Sequence, residues 1–207
     1  MYKGLSKFFD FSYFIKLLSL FLLLYVFNLF FIGITAPGGK FYSVFLDNHL
    51  NYIVWLRNGI LYTSKLFAHC FGLHPYVADL YTLQENVYSV TLVYSCLGLG
   101  IISFWIAFIV AGKNKLPNKL LWIALGVATI WMINSLRISV LLLASEKNWS
   151  VNKYINHHDL FNFFSYILLL LLMYIYYRSS KKNKIIKSNI YLREANDINI
   201  PEADLYR

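Results

Sequence analysis

The sequence predicts an all-α integral membrane protein: a four-helix transmembrane bundle with an amphipathic helix on its outer face. Three observations carry this. The 207 residues are 58% hydrophobic and only 14% charged, against about 25% charged in soluble domains. The apolar residues fall in long uncharged blocks without an amphipathic rhythm. The positive charge, a net +9, flanks those blocks, where it reads as membrane topology and not as a nucleic-acid footprint.

The first spanning helix is placed at 17–35. It is uncharged, about 28 Å long at 1.5 Å per residue, and carries Asn28 as its one strongly polar residue. Ala36-Pro37-Gly38-Gly39 stops it, since proline and paired glycines break helices. The segment 50–73 is helical in pattern but holds Arg57, Lys65 and His69. It is read as an interfacial helix, with a fifth span as the alternative. Asn86 to Gly112 is uncharged for 27 residues. Its start, Val87 to Tyr94, reads either as extended chain or as the first turns of a helix. The second span is placed at 95–112, closed by Gly112. A basic turn from Lys113 to Lys119 leads to a third span at 120–145, whose single charge is Arg137. The polar stretch Glu146–Asp159 precedes a fourth span at 160–177, and 178–207 reads as a basic cytoplasmic tail.

Charge orients the bundle. The lead, the Lys113–Lys119 turn and the stretch Arg178–Lys187 hold eleven Lys/Arg, and the opposite side holds five on longer loops. The positive-inside rule puts both termini and the basic turn in the cytoplasm. The expected location is the cytoplasmic membrane, multi-pass, and nothing resembles a cleavable leader. Cys96 then lies at the outer end of its helix. Arg137 stands about 25 Å up from Leu120, and His157 and His158 stand just before the last helix re-enters.

A nucleophile, a cation and a base at one membrane face make a candidate active site. The thiolate is the reactive form of cysteine, and amides at a helix start favour it. Gly98 and Gly100 leave room for close backbone approach. An arginine at membrane depth costs roughly 2.5–3.5 kcal/mol on insertion scales and usually faces a cavity. Asn134, three residues earlier, shares its helix face and is placed to hold the guanidinium. Histidine is the usual activator of a cysteine. His158 has Asp159 beside it and Asn162 one turn on, and His157 points about 100° away. No metal and no cofactor is expected, because adjacent His-His-Asp side chains diverge and no further ligands cluster with them. Each residue has a plainer reading: Cys96 as a small buried hydrophobe, Arg137 as a snorkelling side chain, and a disulfide between Cys96 and Cys70.

Ser95-Cys96-Leu97-Gly98, Asn134-Ser135-Leu136-Arg137-Ile138 and His158-Asp159-Leu160-Phe161-Asn162 resemble the three signatures of the exosortase/archaeosortase family. These are a Cys-x-Gly element opening a membrane helix, an Asn-x-x-Arg-Ile/Val element in the next, and a histidine opening the one after. The likeness covers roughly 87–177. Leu97 stands where the family often has Ser or Asn, and Asn162 where it often has Gly. The resemblance implies a membrane-embedded cysteine transpeptidase or protease with Cys96, Arg137 and His158 as its catalytic residues, supported by Asn134, Gly98, His157 and Asn162. Its substrates would be exported proteins ending in a recognition motif, a transmembrane helix and a basic cluster, cut at the outer face. The alternative from another class is a non-enzymatic transporter or envelope-assembly subunit, in which Cys96 only packs. Membrane lipid is the expected surrounding, and no nucleic-acid partner is expected.

Overall fold

A computed structural model describes residues 11–79, 81–147, 163 and 166–179. The chain divides into two units, 1–165 and 166–207. In the first, α1 (Phe11–Thr35), α2 (Val44–Leu50) and α3 (Tyr52–Cys70) lead to a small sheet of β1 (Tyr76–Val77), β2 (Thr82–Glu85) and β3 (Tyr88–Thr91). A 3-10 turn (Tyr94–Leu97), α4 (Leu99–Ala111) and α5 (Leu116–Glu146) follow. The second unit is described over α6, Tyr166–Ser179. The described residues are mostly helical, with six α-helices.

Among the described residues, α1 and α5 are long and apolar enough to cross a membrane. The apolar helices α4 and α6 are shorter. α1 begins at Phe11, earlier than expected, and ends at Thr35 as the Pro-Gly-Gly stop requires. Most of its large side chains, Leu22, Leu23, Val26, Phe27 and Phe30 among them, are exposed. α5 starts at Leu116 and not at Leu120, because Pro117 suits the first helical turn, where its missing N–H has no partner to lose. α6 runs through Arg178, which the sequence had assigned to the tail; the rest of the tail lies outside the described residues.

The helices pack through small residues and a few polar ties. Asn28, alone in its apolar block, donates to Ser103 Oγ at 2.9 Å and accepts from Tyr52 Oη at 2.5 Å, joining α1, α4 and α3. Trp105 of α4 donates to the Trp122 carbonyl at 3.0 Å, and Gly126 makes room for its ring, since a Cβ there would sit 1.9 Å from Trp105 Nε1. α3 packs mainly on α5. Its buried positions Ile53, Arg57, Ile60, Leu61, Ser64 and Ala68 follow helical spacing and form one stripe. Ser139 of α5 donates to the Ser64 carbonyl at 2.7 Å, and Trp131 donates to Thr63 Oγ1 at 3.2 Å.

The sheet departs from the all-α expectation. β1, β2 and β3 are antiparallel in chain order, and Thr82 to Glu85 pair with Thr91 to Tyr88. The alternating, β-branched and aromatic run Tyr88–Thr91 suits a strand, so of the stretch Val87–Tyr94 the part 88–91 is extended, while Val87 belongs to the preceding turn and Tyr94 to the 3-10 turn that follows. Asn86, the one described non-glycine residue with positive φ (52°), makes the turn, and asparagine tolerates that conformation. Leu83 and Leu92 bury against the α3–α5 core.

α2 and α3 meet at a capped corner. Asp47 accepts from Tyr42 Oη at 2.6 Å and from Asn51 Nδ2 at 2.7 Å, while Asn51 Oδ1 caps α3 by accepting from Val54 N at 3.1 Å. The Tyr42 hydrogen bond, then that from Asn51, hold the Asp47 carboxyl below its ordinary value, with a smaller contribution from the charge of Arg57.

Candidate active site

Cys96 lies in the 3-10 turn that joins the sheet to α4. The expected start of the helix at Ser95 is therefore displaced: Gly98 adopts a left-handed φ of 73°, which breaks the backbone between the turn and α4. A side chain is strained at that φ, and a Cβ on Gly98 would also lie 2.6 Å from Asn134 Nδ2. The room behind Cys96 is thus filled by the Asn134 side chain and not by another backbone. Gly100 has only ordinary contact with the Tyr25 ring.

α5 supplies the other half of the site. Arg137 Nη2 donates to Cys96 Sγ at 3.5 Å, and Asn134 Nδ2 donates to the Leu97 carbonyl at 3.2 Å. Asn134 was expected to hold the guanidinium; its amide instead ties the cysteine turn to α5. The spacing of three puts both side chains on one helix face, so one residue fixes the turn and the other meets its sulfur. All three are buried: Cys96 is 8% exposed, and Asn134 and Arg137 are each 5% exposed. Cys96 N is itself bound to the Val93 carbonyl at 2.9 Å.

This arrangement sets a fixed cation against a thiol in a largely water-excluded corner. Negative charge formed on the sulfur, or on an oxygen bonded next to it, meets a guanidinium whose donors are already oriented. Behind the turn, Leu99 and Ile102 line an apolar cavity of about 470 Å³ that also touches Leu24, Phe27 and Trp131.

The structure brings together Cys96, Gly98, Asn134 and Arg137. His157, His158 and Asn162 lie outside the described residues. Both cysteines are free thiols, Cys70 exposed at the end of α3 and Cys96 buried, so the disulfide alternative is not realised here.

One neighbour was missed in the sequence. Arg57, read as an interfacial charge, is 2% exposed. Its guanidinium carbon lies 3.8 Å from the Tyr81 ring centroid and 5.9 Å from that of Tyr94, two residues before Cys96. The signal was present: Arg57 occupies the apolar stripe of α3, whereas Lys65 falls beside it.

Compared with protein families, curated proteins and solved structures, the chain matches none.

Proposed function

We propose that this chain is a multi-pass membrane cysteine transpeptidase or protease of the exosortase/archaeosortase type, working at the outer face of the cytoplasmic membrane on proteins with a C-terminal membrane sorting signal. The observation that carries the reading is the contact between Arg137 Nη2 and Cys96 Sγ. Residues 41 apart in sequence, each of which the sequence marks as reactive or costly at that depth, meet in one buried corner. A snorkelling arginine would instead reach outward for water.

In this reading Cys96 sulfur, as thiolate, attacks the scissile carbonyl carbon. A C–S bond forms and the carbonyl π electrons move to oxygen. Arg137 meets the resulting oxyanion. The C–N bond then breaks, and His158 delivers the proton it took from the thiol to the departing amine. An acceptor amine or water attacks the thioester and frees Cys96. Asn134 and Gly98 act as positioning residues, because they hold the turn that aims the sulfur.

The test separates this from a membrane protein in which Cys96 merely packs. Cys96→Ser should abolish processing, since a hydroxyl is far harder to ionise than a thiol. Cys70→Ala, at an exposed thiol outside the site, should leave it near normal. Substrate size on a gel is the readout: uncleaved precursor should accumulate in Cys96→Ser cells. Normal maturation in those cells would sink the cysteine mechanism and favour the transporter or assembly-subunit reading.

A further inference from the structure

Arg57 stands apart from the ordinary uses of a buried arginine. It is 2% exposed, yet its Nε and Nη1 have no hydrogen-bond partner among the described residues. Asp47, whose carboxyl is influenced by the Arg57 charge, gives its oxygens to Tyr42 and Asn51. What the guanidinium does have is the Tyr81 ring at 3.8 Å and the more distant Tyr94 ring. A cation–π contact stabilises less than two unmade buried guanidinium donors cost. The rings therefore do not compensate for the burial. They do hold the planar group in place.

The location connects this cation to the reactive corner. Tyr94 belongs to the same 3-10 turn as Cys96, and α3 packs against that turn. Tyr81 is tied to the segment leading into it, its carbonyl accepting from Leu92 N at 2.6 Å. Both rings are partly exposed, at 36% for Tyr81 and 40% for Tyr94, so the cation lies beneath side chains that reach the surface. Arginine donors match the oxygens of carboxylate and phosphate.

We propose that Arg57 is the binding residue for a carboxylate of the substrate polypeptide, which lodges beside the Cys96 turn. The inference rests on the reading of that turn as a reaction site. The bound group is then an acidic side chain or terminal carboxylate of the substrate segment, and Arg57 sets specificity while Arg137 serves the sulfur.

The experiment needs no turnover, so its failure and that of the cysteine mechanism are distinguishable. Purified full-length protein in detergent is unfolded thermally in sodium chloride, in acetate and in inorganic phosphate at matched ionic strength and pH. In the wild type the oxyanion should raise the midpoint by about 2–4 °C over chloride, as a ligand of the folded state does. The rise should be larger with acetate than with phosphate; a larger rise with phosphate would assign the cation to a lipid phosphate and overturn the peptide-carboxylate proposal. Arg57→Met should abolish the rise. In chloride that variant should also unfold no earlier than the wild type, because it removes an uncompensated buried charge. Arg57→Lys, which keeps charge but not planar geometry, should show a weakened rise, and it carries the test if Arg57→Met does not fold. A wild type indifferent to the anion, or an undiminished rise in the Arg57 variants, overturns the proposal.

Discussion

Arg137 and Gly98 show how much rests on single residues at the cysteine turn. In the proposed reaction Arg137 meets charge that exists only in the transition state. Arg137→Ala should therefore cost about 10²–10³ in processing rate with normal membrane insertion. Arg137→Lys should also be poor, because a point charge replaces a planar donor set. Near-normal processing in either variant, in a cell-based precursor assay, would return Arg137 to a packing role. Gly98→Ala combines a left-handed backbone with a Cβ 2.6 Å from Asn134 Nδ2, and should destabilise the fold by about 1–3 kcal/mol. Thermal unfolding measures it. Adding Asn134→Ala should recover the part due to the clash but not the part due to backbone strain, and full recovery would show that the φ itself is harmless.

At the scale of elements, α3 and its corner are the least expected part of the molecule. The interfacial reading explained the charges of 50–73 by exposure, but the helix packs on α5 with Arg57 inside. The corner before it is built around a carboxylate. The Asp47 carboxyl is held below its ordinary value by hydrogen bonds from Tyr42 and Asn51. A depressed carboxyl contributes stability that is present above its unfolded pKa and is lost as pH falls through the folded one. Hydrogen-exchange protection at the first turn of α3, taken relative to the intrinsic rate at each pH, should accordingly fall as the solution is acidified through and below the usual carboxylate range. In Asp47→Asn the protection should change little over the same window. An equal loss of protection in both would mean that another group controls the corner.

At the scale of the whole molecule the open question is topology. The proposed arrangement has four spans with both termini and the Lys113–Lys119 turn inside. Reporter fusions after Lys119 and after Tyr177 should both report cytoplasm. A signal from the outer side at either position would remove His158 from the face that Cys96 and Arg137 occupy in this reading, and the three-residue mechanism with it.

What the sequence determined by itself was whatever depends on local order along the chain. Uncharged blocks and a Pro-Gly-Gly stop set the long apolar helices α1 and α5, because hydrophobicity and backbone restriction act on consecutive residues; the start of α5, read at 120, falls at Leu116. The spacing of Asn134 and Arg137 already put them on one face. Tertiary structure decided the rest. It broke the backbone at Gly98, because the space behind the thiol is taken by Asn134 from a distant helix. It turned 76–91 into a sheet, because short strands gain their hydrogen bonds only from one another and their burial only from the α3–α5 core. It also put Arg57 inside: its place on the apolar stripe of α3 was legible, but which helix covers that stripe was decided by the packing on α5.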